Sequence, residues 1–313
     1  MPKEKQSALS DREILELLNI LEIRGREGWS QRWKEHMAIP EALNVSSDRE
    51  EEQERVLRYL LLRVLINQQA KFEKVREISI SLLEEFGDPL LFKPFDISES
   101  ELLSIFRKVA GNKGALLYKV GALGGIKPVS LFLYRFKAYE GFIRWLDENK
   151  LSIRDFIQEE LKNGEPKEFF NTLREHDILS AGWVGNDPKA CRMYVNWILF
   201  LLNEIWGFRR VKIEKSLMIV DGHVGKVFCR TGLIDEVLYE KQRPYIIQAS
   251  NMRSKIEETV SKFNCIPFYV DNGAFYLFEE GYCTDLDPKC DICPVGRFCK
   301  RYIKWTAYKM HPG

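Results

Sequence analysis

Several features that would exclude an ordinary folded protein are missing from these 313 residues. The chain has only 20 glycines and 12 prolines and no low-complexity segment, so collagen-like, mucin-like and disordered chains are excluded. No apolar run approaches the about 18 residues of a membrane span, and the N-terminus lacks the apolar core of a signal peptide. We therefore expect an intracellular protein without a membrane partner.

Familiar nucleotide-binding patterns and a strong charge of one sign are also missing. Neither a GxGxxG pattern nor a Walker pattern occurs, and no repeat recurs at a fixed period. The 47 basic and 46 acidic residues leave a net charge of +1. This balance argues against binding nucleic acid through bulk charge, but it does not exclude a local basic surface.

Helical periodicity dominates the chain, and strict alternation of apolar and polar residues is rare. We therefore predict an all-α protein, and the length suggests about two domains. Helices are predicted at 11–24, 56–69, 78–86, 114–121, 129–148, 152–162, 166–176 and 189–206, with a further start at Ser98. The best strand candidate is 268–278, although a helix competes there after residue 273.

Seven cysteines are present, and four of them lie within 17 residues: Cys283, Cys290, Cys293 and Cys299. Disulfides are not expected in a reducing compartment. Four thiolates at this spacing can close around one metal centre, either zinc or an iron–sulfur cluster. The other three, Cys191, Cys229 and Cys265, lie among apolar residues and are predicted to be core residues.

The gaps between the four cysteines, of six, two and five residues, resemble the 4Fe-4S loop of the endonuclease III family of DNA glycosylases. The segment 271–277 is similar to the family's approach to the first ligand. The resemblance implies a structural 4Fe-4S cluster and a helix-hairpin-helix glycosylase fold. It would comprise a six-helix barrel over 56–215 and a cluster-bearing helical domain built from 1–55 and 216–313.

The segment from Val220 to His223 resembles the family's Val-Asp-x-His segment, which makes Asp221 the catalytic carboxylate by resemblance. Breaking an N-glycosidic bond develops positive charge on the sugar, and a nearby carboxylate stabilises that charge. Alternatively, Asp221 serves only as the N-cap of a helix over 224–230. We expect His223 to pack near Asp221 rather than to act as a base.

The region 179–190 resembles the family's hairpin, in which Gly182 and Gly185 would let the backbone approach a phosphate. Bifunctional members use a lysine from this hairpin to form a Schiff base, and Lys189 matches it. A cation is disfavoured in the first turn of a helix, which favours the neutral amine. We expect Asp187 to cap that helix.

The 32-residue separation of Lys189 from Asp221 resembles the archaeal 8-oxoguanine glycosylase branch of the superfamily. Lys212 and Lys215 are the reserve candidates for the nucleophile, because they lie closer to Asp221 in the sequence.

Further DNA contacts are predicted on both sides of the hairpin. Gln69, or next to it Gln68, resembles the glutamine with which the family fills the gap left by a flipped base. Arg209, Arg210 and Lys226 belong to a local excess of basic residues that can neutralise phosphates. A polar helix end and a solvated loop are the competing interpretations. The loop 284–289 is acidic where the family's loop is basic, and residues 300–304 would partly replace it.

The resemblance implies a monomeric base-excision enzyme that acts on double-stranded DNA. It would flip and excise an oxidised base, such as 8-oxoguanine or an oxidised pyrimidine, or a mismatched base, with AP lyase activity through Lys189. Two alternatives stay open. One is a monofunctional glycosylase in which Asp221 activates water, and the other is a non-catalytic iron–sulfur protein that binds DNA.

Overall fold

The computed structural model describes residues 9–67, 72–110, 128–208, 211–234, 250–284 and 287–299. Every regular element in these ranges is helical, which confirms the all-α prediction. Within the same ranges, no helix is both long enough and apolar enough to cross a membrane.

The α-helices follow one another with short connections. They are α1 (Asp11–Met37), α2 (Glu50–Ile66), α3 (Phe72–Phe86), α4 (Asp88–Phe92), α5 (Glu99–Ala110), α6 (Pro128–Glu148), α7 (Ile153–Glu160), α8 (Pro166–Glu175), α9 (Lys189–Phe200), α10 (Gly222–Arg230), α11 (Ser250–Lys262) and α12 (Pro267–Glu279). Leu201–Ile205 continues α9 as a π-helical turn, and Leu179–Gly182 and Cys290–Ile292 are short 3₁₀ turns.

The chain forms two compact units. We call residues 1–32 and 214–313 the terminal unit, and residues 33–213 the central unit. The domains predicted from the sequence divide the chain after residues 55 and 215, whereas the two units divide it after Arg32 and Ile213.

The central unit is built around α2. Every side chain from Val56 to Ile66 is buried, because α2 packs against α3, α6, α7 and α9. A helix that is covered on all sides needs apolar residues at nearly every position. Two positions in this stretch break the pattern, since Arg58 and Arg63 are buried there as well.

The terminal unit is held together by close packing between α1 and α12. A Cβ atom on Gly25 would lie 1.8 Å from the carbonyl oxygen of Tyr269, and one on Gly273 would lie 1.9 Å from that of Leu21. Only glycine permits this approach of two backbones. Arg32 of α1 also pairs with Glu279 of α12, with 2.6 Å between Nη1 and Oε2.

Two secondary-structure predictions are wrong. The strand candidate 268–278 lies within the helix α12, and the chain after residue 24 continues α1 to Met37 instead of breaking. In α12 most side chains from Pro267 to Leu277 are buried, so apolar residues stand at consecutive positions and hide the helical period. The predicted helix 114–121 lies outside the described residues.

Candidate functional site

Asp221 occupies the N-cap position of α10. Its Oδ1 accepts hydrogen bonds from the backbone N–H groups of His223 (2.9 Å) and Val224 (3.0 Å), and the side chain is half-buried. Donors at a helix N-terminus favour the anionic carboxylate and hold it in one orientation. The predicted capping role is therefore observed, and it leaves an oriented carboxylate that is suited to stabilise a developing cation.

The extended segment before Asp221 is held by carboxylates of α11 and α12. The backbone N–H of Met218 donates to Glu257 Oε1 (3.1 Å), and that of Ile219 donates to Asp271 Oδ2 (2.7 Å). Asp271 is only 4% exposed. It therefore positions the approach to the candidate catalytic residue, a role that the sequence reading missed although an acidic residue inside an apolar segment was a signal for it.

The other end of α10 reaches the cysteine loop. Arg230 Nη1 donates to the carbonyl oxygen of Cys283 (3.3 Å), to its Sγ (3.2 Å) and to the carbonyl oxygen of Thr284 (3.2 Å). Burial raises the pKa of the Cys283 thiol, and the guanidinium of Arg230 acts in the opposite direction. One nine-residue helix thus joins Asp221 to the first cysteine of the loop.

Two further residues of α10 face Phe278. The ring of His223 stacks on it, with 3.4 Å between ring centroids, so the expectation that His223 packs is confirmed. The ammonium group of Lys226 lies 5.8 Å from the centroid of the same ring, and the side chain is 8% exposed. Because a phosphate contact needs an accessible cation, this burial argues against the predicted DNA contact of Lys226.

The late cysteines follow α12 in a tightly turned loop. The backbone N–H of Gly296 donates to Cys293 (2.9 Å), and that of Cys299 donates to Gly296 (3.2 Å). A Cβ atom on Gly296 would lie 3.0 Å from the carbonyl oxygens of Cys290 and Cys293, so the turn leaves little room for a larger residue. Val295 is buried in the core of the terminal unit and anchors the loop.

The chemistry of the loop fits a thiolate-bound centre. Burial raises the pKa of the Cys293 thiol to about 11, and the charges of Cys283, Cys299 and Cys290 act in the same direction. Thiolates that repel one another are stabilised by a bound cation or cluster. Among the described residues, however, no group of three or more His, Cys, Asp or Glu side chains is arranged to hold a metal ion. The cluster therefore stays a prediction.

The other three cysteines, Cys191, Cys229 and Cys265, are buried, which confirms that they belong to the core.

The hairpin between α8 and α9 contains both predicted glycines. Gly182 is buried, and a Cβ atom there would lie 2.8 Å from side-chain atoms of both Ala138 and Leu65. Its lack of a side chain is thus explained by packing. Gly185 is exposed and has a φ of +80°, a conformation that favours glycine. Of the two, Gly185 is the better candidate for a phosphate contact.

Lys189 is the first residue of α9 and is half-buried. The expectation that Asp187 caps this helix is wrong. Pro188 occupies the N-cap position without a side-chain hydrogen bond, and the carboxylate of Asp187 instead binds Arg192, with 2.7 Å between Oδ1 and Nε. Lys189 belongs to the central unit, whereas Asp221 belongs to the terminal unit.

Several predicted DNA contacts fall outside the described residues, namely Gln68, Gln69, Arg209 and Arg210, as do residues 300–304. Lys212 and Lys215 are exposed, whereas Lys226 is buried and Arg230 is bound to the cysteine loop. Part of the basic excess near Asp221 is therefore used inside the terminal unit.

No family model, no curated protein and no solved structure matches this chain. Its function is accordingly inferred from its own residues.

Proposed function

We propose that the protein is a DNA glycosylase with a helix-hairpin-helix fold, which excises an oxidised or mismatched base and cleaves the strand at the resulting site. The observation that carries the proposal is the carboxylate of Asp221, which two backbone N–H groups hold at the start of α10. A preoriented anion stabilises the positive charge that develops on deoxyribose. The hairpin before Lys189 and the cysteine spacing add support.

In the proposed reaction Lys189 is the nucleophile. Its neutral Nζ attacks C1′ of the sugar, the N-glycosidic bond breaks, and the electron pair of that bond leaves with the base. Asp221 stabilises the cationic sugar and accepts a proton from the attached nitrogen. Opening of the sugar ring gives a Schiff base, from which elimination of the 3′ phosphate cleaves the strand.

Cys283, Cys290, Cys293 and Cys299 would hold a 4Fe-4S cluster, which would cross-link the loop without taking part in the base chemistry. Arg230 supplies an N–H donor to the sulfur of the first of these cysteines. Purified protein should absorb at about 400 nm and contain iron and sulfide. A colourless protein that contains zinc would contradict the cluster, although not the glycosylase.

Borohydride trapping on duplexes that contain 8-oxoguanine or an oxidised pyrimidine tests the reaction. The unaltered protein should form a covalent adduct, and Lys189→Gln should not. Lys215→Gln is the matched control, since it removes an exposed lysine that is closer to Asp221 in the sequence. Asp221→Asn keeps an oxygen for capping and should lose base release while staying folded.

The other outcomes separate the alternatives. Base release without an adduct would favour the monofunctional glycosylase, in which Asp221 activates water. An adduct that persists in Lys189→Gln but disappears in Lys215→Gln would move the nucleophile. No base release from a broad panel of lesions and mismatches would favour a DNA-binding protein without catalysis.

A further inference from the structure

Arg63 is a buried cation without a hydrogen-bond partner. It lies on α2 in the interior of the central unit, and its side chain is 0% exposed. Among the described residues, no acceptor lies within hydrogen-bond distance of its Nε, Nη1 or Nη2. A guanidinium that has lost water and gained no acceptor is strongly unfavourable. Such groups are rare in native proteins and call for a specific explanation.

The surroundings of Arg63 supply no counter-charge. The ring of Phe72 lies 5.0 Å from Cζ and offers a cation–π contact, which replaces none of the lost hydrogen bonds. The hydroxyl of Tyr59 donates to the carbonyl oxygen of Ala38 (2.6 Å). Burial lowers the pKa of Arg63 to about 10, and the positive charge of Arg76 acts in the same direction.

Arg76 brings a second guanidinium to the same region. It lies on α3, which packs against α2, and its side chain is 44% exposed. Its ion pair with Glu35 measures 3.7 Å between Nη1 and Oε1 and joins two side chains that are about half-exposed, so it contributes little. One arginine is thus fully buried, and its neighbour connects the region to solvent.

We propose that Arg63 and Arg76 form a binding site for a small tetrahedral oxyanion, such as phosphate or sulfate. The planar fork of a guanidinium binds two oxygens of such an ion, and the remaining oxygens are available to a guanidinium from another helix. A phosphate of a DNA backbone is not the ligand, because Arg63 is completely buried. The ion would enter from the side of Arg76.

This site stands apart from the proposed glycosylase chemistry. Neither Arg63 nor Arg76 is among the candidate catalytic, DNA-binding or cluster residues, and neither contacts them in the described part of the central unit. Loss of anion binding would therefore leave the glycosylase proposal unaffected, and failure of the glycosylase proposal would leave the anion site unaffected.

Thermal unfolding of the full-length protein tests the proposal. In phosphate-free buffer at constant ionic strength, added inorganic phosphate should raise the unfolding midpoint in a saturable manner relative to chloride. Sulfate forms a second arm, which tells a site for tetrahedral oxyanions in general from one that is selective for phosphate. Calorimetric titration with phosphate should give one ion per chain.

Variants assign the effect to the site. Arg63→Met should abolish the phosphate-dependent rise, and Arg76→Met should weaken binding about tenfold or more. Arg144→Met is the control, since it removes an exposed arginine of the same unit that pairs with Glu140, and it should keep the full response.

If Arg63→Met does not fold, Arg63→Lys keeps the charge but loses the fork, and it should also weaken phosphate binding about tenfold or more. A phosphate response of equal size in the unaltered protein and in the Arg63 variant would overturn the proposal. So would the absence of any response to phosphate or sulfate beyond that to chloride.

Discussion

The two buried arginines of α2 have opposite environments. Arg58 Nε donates to Glu54 Oε1 (2.6 Å), and its Nη1 donates to the carbonyl oxygen of Leu91 (3.2 Å). Arg63 lies five residues further along the same helix, is equally buried, and has no such acceptor in the described residues. Burial alone therefore does not determine whether a charge inside this protein is stabilised.

The difference lies in what stands one turn earlier. Glu54 precedes Arg58 by four residues, the spacing at which helical side chains meet, whereas Tyr59 holds that position for Arg63. Glu54 also accepts the backbone N–H groups of Ile153 (2.9 Å) and Arg154 (3.0 Å) in α7. One carboxylate thus neutralises a buried cation and binds the start of another helix. The comparison suggests a structural role for Arg58 and a binding role for Arg63.

The largest effect is expected at Glu54. Glu54→Gln keeps the size of the side chain but leaves Arg58 buried without a counter-charge, which should lower the free energy of unfolding by about 3–5 kcal/mol. Urea denaturation measures the change. Glu51→Gln removes an exposed carboxylate of the same helix that pairs with Arg49, and it should cost less than about 1 kcal/mol. Equal losses in both variants would remove the contrast.

Arg63→Met should change the free energy of unfolding in the opposite direction. In phosphate-free buffer the substitution removes an unpaired charge from the interior, so a gain of about 1–4 kcal/mol is expected from the replacement of buried charges by apolar side chains. The same urea titration measures it. A loss as large as that of Glu54→Gln would show that Arg63 has a stabilising partner, and the two arginines would then be alike.

A third buried charge, Asp271, extends the comparison to the terminal unit. Its carboxylate accepts a backbone N–H rather than a guanidinium, so Asp271→Ala should lower the free energy of unfolding by about 1.5–3 kcal/mol. It should also slow any base release, because it loosens the segment before Asp221. Glu258→Ala removes an exposed carboxylate of α11 and serves as the control. Unchanged stability of the Asp271 variant would contradict the positioning role.

The smallest effect is expected at His176, which can avoid a buried charge by losing its proton. Its ring lies 4.8 Å from that of Trp145 and 5.0 Å from that of Phe142, and its Nδ1 accepts the N–H of Ile178 (3.2 Å). Burial lowers the pKa of His176, although Asp177 acts in the opposite direction.

The folded protein thus binds the proton of His176 less readily than the unfolded chain. Its contribution is absent above the unfolded pKa of about 6.5, and stability falls as the pH drops through that value. Since the ring is partly exposed, the loss at pH 5 should stay below about 1 kcal/mol. Urea titrations at pH 5 and 7.5 should show a smaller difference in His176→Phe. An unchanged difference would assign the pH dependence to other groups.

Local signals predicted much of the helical structure. The helices predicted at 129–148 and 166–176 are observed as Pro128–Glu148 and Pro166–Glu175. At the predicted start near Ser98, the backbone N–H of Ser98 donates to Glu101 Oε2 (2.9 Å), and the N–H of Glu101 donates back to Ser98 Oγ (3.3 Å). These features depend on residues three or four apart, so a single sequence shows them.

The candidate site was predictable only in part. The capping position of Asp221 is a local feature, and the structure confirms it. The hydrogen bonds from Arg230 to Cys283 and from Ile219 to Asp271 join residues more than 50 positions apart, and no local pattern announces them. Gly182 was assigned to a phosphate contact because its neighbours in space, Ala138 and Leu65, were not visible in the sequence.

By itself, the sequence determined the helical class, the capping positions and the grouping of four cysteines in one short loop. Each of these depends on residues that are close along the chain. The tertiary structure alone decided that the first helix packs against the last one described, that Glu54 compensates Arg58, and that Arg63 is buried without an acceptor. The physical reason is that a buried charge is stabilised by atoms near it in space, and most of those atoms belong to residues that are remote in sequence.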